Sequence, residues 1–254
     1  MKVIASVNGK GGVGKTTLLL GLALYCVNAG KRVLLADLDN QANLTGSLMD
    51  LDESIQRQNT FDLMNGEAVQ PVHISENLDL IPATNELLAM DRSSDLDLYF
   101  QLSDELKSQF SEYDLILLDT PGNLGSRVTA ALTAADLVFC PTELNNYSAQ
   151  ALLQLNALIV QVRKRFNSTL LFAGVVANQV NGVADGFPVR PDEKEIYTGL
   201  LSKSPDKVLG VVGKRACIAR SFSDGKMLEV TDDSSRKAVD EVAGYSERIL
   251  RLLG

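Results

Sequence analysis

The sequence predicts an α/β protein: a doubly wound, mostly parallel sheet with helices on both faces. Three observations carry that expectation. Short apolar runs bounded by turn residues alternate along the chain with longer segments of helical periodicity. Several of the short runs are apolar almost throughout, as strands covered on both faces must be. The first run leads through a glycine-rich loop into a long apolar segment without proline, a strand–loop–helix unit.

In chain order, residues 2–7 form the first strand and residues 16–28 the helix after the glycine loop, with Gly30 placed to end it. Residues 32–37 make a second strand that runs into Asp37-Leu38-Asp39. Residues 40–46 are polar and read as a loop at the carboxyl end of that strand, where ligands bind in open α/β sheets. Residues 51–77 are polar, with a short helix around 61–64; residues 78–82 read as a strand and 86–90 as helical. Leu98, Leu102, Leu106 and Phe110 recur every four residues on one helical face. Residues 114–119 form a buried strand that ends in an acid and meets Thr120-Pro121-Gly122. Residues 136–140 are the next strand, closed by Pro141; residues 149–162 are an apolar helix with a basic end, Arg163-Lys164-Arg165. Residues 170–178 are a further strand, 179–188 a loop, 191–201 a helix and 208–212 a last short strand. Ala238, Val242, Tyr245, Ile249 and Leu252 step by four and three, a closing amphipathic helix. No linker divides the chain, so residues 1–254 read as a single domain.

Composition narrows the class. An apolar content of 45% and a charged content of 22% are ordinary for a soluble globular protein. A formal charge of −8 excludes a protein that is basic all over but leaves room for local patches. Cys26, Cys140 and Cys217 are far apart and form no C-x-x-C pair, which argues against a zinc or iron–sulfur site. His73 has no ligand-spaced partner. No apolar run reaches about 18 residues and no signal peptide precedes the first strand, so a cytoplasmic location is expected.

The chemistry concentrates in the glycine loop. Gly9, Gly14, Lys15 and Thr16 satisfy the phosphate-loop pattern G-x-x-x-x-G-K-[ST] in the context that pattern requires. Gly11, Gly12, Val13 and Gly14 can curl so that successive N–H groups face a phosphate, at the positive end of the following helix. Lys15 can reach the β- and γ-phosphates, and the Thr16 hydroxyl can sit on Mg²⁺. Lys10 is a second lysine inside the loop. It is either a solvated charge or a phosphate contact made across a subunit boundary. A hydrolase of this kind also needs an acid for Mg²⁺, a group that orients water and extra positive charge. Asp119, ending its apolar strand, fits the first; Asp37, at its own strand end, is placed to help hold the Mg²⁺ water shell. Asp39 fits the second and Lys10 the third.

Residues 10–17 (Lys-Gly-Gly-Val-Gly-Lys-Thr-Thr) resemble the deviant Walker A motif of the ParA/MinD family of P-loop ATPases. Residues 33–41 resemble its second motif, usually ending D-x-D-P-Q, with Asn40 where proline is usual. Residues 117–125 resemble its Walker B region, commonly D-x-P-P-x-x-G, with Gly122 in place of the second proline. Both departures concern backbone stiffness, and the first is expected to loosen its loop. Residues 220–225 and 232–238 also resemble the family; residues 50–110 and 180–210 match only loosely.

The resemblance implies a homodimer with ATP sandwiched between subunits, Lys10 crossing to the partner's ATP. Lys15, Thr16 and Thr17 would bind phosphates and Mg²⁺, Asp39 would position the attacking water, and Asn178 would hydrogen-bond the adenine. It also implies slow hydrolysis stimulated by a ParB-like or cargo-adaptor protein, and an ATP state bound to nonspecific DNA or, in MinD-type members, to membrane. Between Lys203 and Lys226 six basic residues face two acids, which favours DNA. Lys214, Arg215 and Arg220 are the DNA-binding candidates, with Arg163, Lys164 and Arg165 behind them. Residues 245–254 carry only Arg248 and Arg251 and continue a core-facing helix, which disfavours the membrane reading. The expectation is a cytoplasmic, nucleoid-associated ATPase that positions a cargo, without an N-terminal helix-turn-helix domain. The alternatives are a MinD-like membrane switch and an ATP-dependent amide ligase.

Overall fold

The computed structural model describes residues 1–92, 96–145 and 147–254. Its strands are β1 (Lys2–Ser6), β2 (Val33–Asp37), β3 (Val72–Ser75), β4 (Leu78–Ile81), β5 (Leu115–Asp119), β6 (Leu137–Thr142), β7 (Leu171–Val180), β8 (Val183–Ala184), β9 (Phe187–Pro188) and β10 (Val208–Gly213). Eight of them form one sheet in the order β10-β7-β6-β1-β5-β2-β4-β3, parallel throughout except that β3 runs antiparallel to β4. The doubly wound, mostly parallel sheet read from the sequence is the observed one.

The helices are α1 (Lys15–Asn28), α2 (Asn43–Leu48), α3 (Leu51–Ser54), α4 (Thr60–Met64), α5 (Asp97–Gln109), α6 (Ser126–Ala134), α7 (Ser148–Arg165), α8 (Pro191–Lys203), α9 (Ala216–Ser223) and α10 (Asp233–Arg251). Each central strand feeds both faces, because successive side chains point to opposite sides. Val3 and Ala5 join Ile116 and Leu118 in a core under α4 to α7; Ile4 joins Leu115 and Leu117 in a second core under α1, α9 and α10. Helix α1 is apolar nearly all round because it is walled in: Leu18, Leu19, Leu20 and Leu22 are each fully buried. Each such side chain contributes about 1.5–3 kcal/mol. The helix stops at Ala29, and Gly30 follows with φ of 77°, as its sequence position suggested.

Several elements differ from the sequence reading. Residues 40–46 are not all loop: Ala42 turns left-handed at φ of 51° and α2 begins at Asn43. The buried Asp37 carboxylate anchors that helix by accepting from both Thr45 N and Thr45 Oγ1, at 2.9 and 2.8 Å. Pro141 does not close β6, which runs on to Thr142. Pairing of β6 with β1 ends at Phe139, so the missing N–H of Pro141 faces no strand, and its carbonyl accepts from Asn8 Nδ2. Strand β7 runs on to Val180, and the expected loop beyond it contains the β8–β9 hairpin. β3, α6 and α9 lie where no element was expected.

Candidate functional site

The carboxyl ends of β1, β2, β5 and β7 deliver the chemistry-bearing residues to one edge of the sheet, at the point where its winding reverses. The loop after β1 turns left-handed at Gly12 (φ 76°) and Gly14 (φ 92°), and α1 starts at Lys15. Gly14 has no room for a side chain: a Cβ there would lie 2.1 Å from Asn178 Nδ2. A cleft of about 680 Å³ opens above this loop, with Gly11, Gly12, Gly14, Lys15, Thr16 and Thr17 along one side. Asp39, Asn40, Asn123 and Gln179 border the other sides, and Phe222 of α9 closes it. Val13 is buried beneath the loop.

Two buried carboxylates lie behind the lysine and threonine of that lining. Asp37 and Asp119 are opposite each other in the β2–β5 register and both fully buried. Burial holds each carboxyl above the usual range, and for Asp119 the neighbouring Asp37 adds to the effect. Hydrogen bonds oppose it: Thr16 Oγ1 donates to Asp119 Oδ2 at 2.6 Å, and the Asp39 amide donates to Asp37 Oδ1 at 3.0 Å. Lys15 is itself pulled below its usual value by burial, with Asp119 and Asp39 acting against that. Its Nζ donates to the Lys10 carbonyl at 3.3 Å, within its own loop.

The donor set fits Mg²⁺. Asp119 Oδ1 is buried without a hydrogen-bond partner, beside a hydroxyl and a second carboxylate, all hard oxygen donors. Among the described residues no group of three or more His, Cys, Asp or Glu could hold a metal. An ion here would therefore draw on water and nucleotide phosphates for the rest of its shell, as Mg²⁺ commonly does.

Lys10 does not line the cleft. Its Nζ pairs with Glu143 at 2.5 Å, a residue just beyond β6 that also accepts from Asn145. Asn178 turns to the loop as well: its Nδ2 donates to the Val13 carbonyl at 2.8 Å and so supports the phosphate loop. Gln179, absent from the sequence reading, donates to Gly12 O at 2.6 Å and lines the cleft. Its only sequence signal was its place after Asn178 at a strand end. Gly122 packs closely on the phosphate loop: a Cβ there would lie 3.2 Å from the Gly11 backbone, which would have to give by a few tenths of an ångström.

Arg127 is the residue the sequence reading missed altogether. It stands in the first turn of α6, 1% exposed. Its Nη1 donates to Leu38 O (2.9 Å) and Asn40 Oδ1 (3.2 Å), and its Nη2 to Asp91 Oδ2 (2.7 Å). The expectation that Asn40 loosens its loop is corrected by that contact.

The basic residues separate on inspection. Lys214, Arg220 and Lys226 are exposed, as are Arg163, Lys164 and Arg165. Arg215 is not a free cation: its guanidinium grips Glu241 of α10 through Nε (3.1 Å) and Nη2 (2.5 Å), with 13% of the side chain exposed. Lys207 is spent on the Phe172 carbonyl at 2.7 Å. No described helix is long and apolar enough to cross a membrane.

A family model described as AAA domain matches residues 1–172. Sporulation initiation inhibitor protein Soj of Bacillus subtilis is 31% identical over 244 residues, spanning 93% of this chain and 94% of the relative. Chromosome-partitioning ATPase Soj of Thermus thermophilus is 36% identical over 183 residues, 70% of each chain. The fold is shared with a crystal structure of a plasmid partition protein from Borrelia burgdorferi bound to AMPPNP, at a TM-score of 0.81 and 24% identity over 99% of both chains. Matched in sequence over nearly its whole length, this chain belongs to the ParA/MinD family of P-loop ATPases.

Proposed function

We propose that the chain is an ATP-driven switch that, in its ATP-bound dimer, holds nonspecific DNA and positions or partitions a cargo. The observation that carries this reading is the meeting, at one cleft, of the phosphate loop and Asp39 with helix α9, whose outer face carries Arg220, while the buried Asp37–Asp119 pair lies behind Thr16 of that lining. Gly11 to Gly14 offer backbone N–H groups to the phosphates, and Lys15, Thr16 and Thr17 take the triphosphate's charge. Thr16 and Asp119 would hold Mg²⁺, with Asp37 behind them. That ion supplies charge stabilisation on the transferring phosphoryl group. Asp39, at the cleft wall with its Oδ1 accepting from Gln41 N, orients the attacking water. Lys10 leaves Glu143 and crosses to the partner's nucleotide when two subunits close on ATP.

The DNA face is assigned to Lys214, Arg220 and Lys226, with Arg215 fixing the start of α9 against α10 through Glu241. Relatives named for partition and sporulation, matched over most of the chain, support a partition role over an amide ligase. A ParB-like or adaptor protein stimulates turnover, and the cytoplasmic protein is nucleoid-associated in its ATP state.

Cosedimentation with ATP tests this. Wild type should pellet with DNA and release steeply as salt rises, while Lys214→Glu with Arg220→Glu should lose DNA and keep ATP binding. Unchanged DNA binding in that variant overturns the assignment, and retention by anionic liposomes instead of DNA would make the membrane reading correct.

A further inference from the structure

We propose that Arg127 is the positioning residue of the hydrolytic centre, holding the segment that carries Asp39 in register with the loop after β5. The inference rests on the reading of Asp39 as the water-orienting group.

A fully buried arginine is costly. Removing a guanidinium from water costs several kcal/mol that only good pairing offsets, and an apolar side chain of similar volume would fill the same space without that cost. Arg127 also leaves its Nε without a partner. Its remaining bonds are not spread at random. One nitrogen, Nη1, holds Leu38 O and Asn40 Oδ1, the two residues that flank Asp39. The other, Nη2, holds Asp91. Asp91 in turn accepts from Asn123 Nδ2 at 3.4 Å, and Asn123 borders the nucleotide cleft from the loop after β5. A single planar fork thus ties two loops that border the cleft to each other, through α6. The fork geometry of arginine suits this task and the point charge of lysine does not.

The link acts on a segment whose own bonds are local. Asp39 has three of them, its amide donating to Asp37 and its Oδ1 and carbonyl accepting from Gln41 N and Ala42 N, all within its own turn. Beyond them, the segment is tied to the rest of the molecule by Leu38 N, which donates to Asp119 O at 2.9 Å, by Thr45 and Thr60, which reach Asp37, and by the Arg127 fork, which reaches Leu38 O and the Asn40 side chain. Asn40 supplies a side-chain acceptor where a proline would supply none. The side-chain amide does by hydrogen bonding what a proline ring does by fixing φ. Arg127 is buried and does not line the cleft, so its effect should fall on turnover and spare binding.

The test is a double-mutant cycle of Asn40→Ala and Arg127→Met in the full chain, with Arg127→Lys and Asp39→Ala beside it. Steady-state ATPase, equilibrium binding of a nonhydrolysable ATP analogue, and amide hydrogen exchange of the nucleotide-free protein are read for each. Because misplacing a catalytic group by about 1 Å can cost about 10²-fold, Arg127→Met should lower kcat roughly 10- to 100-fold and Asn40→Ala roughly 10-fold. Analogue affinity should stay within about threefold of wild type. The double variant should fall no further than Arg127→Met alone, since both remove one linkage. Exchange at residues 38–42 should quicken in both single variants and β1 should stay protected. Arg127→Lys should recover little of the lost turnover. Multiplying losses in the double variant, or unchanged exchange at 38–42, would overturn the proposal. If Arg127→Met does not fold, Asn40→Ala decides alone through kcat and exchange. Wild-type turnover in Asp39→Ala would overturn the reading of Asp39 while the exchange arm still reports whether Arg127 holds the segment.

Discussion

In the absence of divalent cations this protein should lose stability as pH rises from 5 to 7, and Asp119→Asn should flatten that loss. Asp119 ends β5 fully buried and faces Asp37 across the β2–β5 register. Burial and then the Asp37 charge push its carboxyl from 3.8 up to about 8, against the opposing pull of Thr16 and Lys15. The sign follows from proton counting. Between those two values the folded protein keeps a proton that the unfolded chain has released. The stabilising contribution is therefore full at the acidic end and lost as pH rises toward the folded value. One proton corresponds to about 1.4 kcal/mol per pH unit, or nearly 3 kcal/mol across the two units. Asn cannot titrate, and removing the Asp119 charge also relaxes Asp37. The assay is urea unfolding at pH 5, 6 and 7 in excess chelator at constant ionic strength, wild type against variant. The wild-type slope should be steeper by about 1.4 kcal/mol per unit. Parallel lines would refute the claim that Asp119 is held protonated when no cation is bound.

Two further outcomes follow from the same geometry. Lys15→Ala should abolish ATP binding in equilibrium dialysis; wild-type affinity in that variant would remove the phosphate-loop assignment. Gly21→Ala should destabilise the fold despite the helix-favouring substitution, because the new Cβ would lie 2.6 Å from Tyr245 Oη, which is itself bonded to Leu18 O. Overpacking of this kind costs about 1–3 kcal/mol against about 1 gained in helix propensity, and Tyr245→Phe in the same chain should relieve part of it in denaturant unfolding.

Much of this architecture is legible in the chain because parallel strands and the glycine loop are locally specified. The uniform runs at β2 and β5 need both faces covered, and the loop pattern can be read without tertiary context. What escaped the sequence reading depends on partners far along the chain. Helix α6 is buried along nearly all of its nine residues, so it has little polar-apolar contrast to betray a helical period. Strand β3 is an edge strand whose exposure alternates and whose register shifts, which leaves a weak pattern among polar residues. Arg127 reads as a surface charge until Asp91, Leu38 and Asn40 are seen around it. Counting charges between residues 203 and 226 could not anticipate Glu241, which lies outside that window and takes up Arg215. The places of Asp37 and Asp119 at the ends of β2 and β5 were legible, because a carboxylate at the end of an apolar strand has few places to go.

Lys10 tests the account most directly. The lysine now sits on Glu143 of its own chain, outside the cleft, and the account requires it to act on a partner's nucleotide. Size-exclusion chromatography with light scattering, run with and without a nonhydrolysable ATP analogue, measures this for wild type and Lys10→Ala. Wild type should shift from monomer to dimer when the analogue is added. Lys10→Ala should bind the analogue and remain a monomer. A variant that still dimerises with the analogue would contradict the account and reduce residues 10–17 to an ordinary phosphate loop.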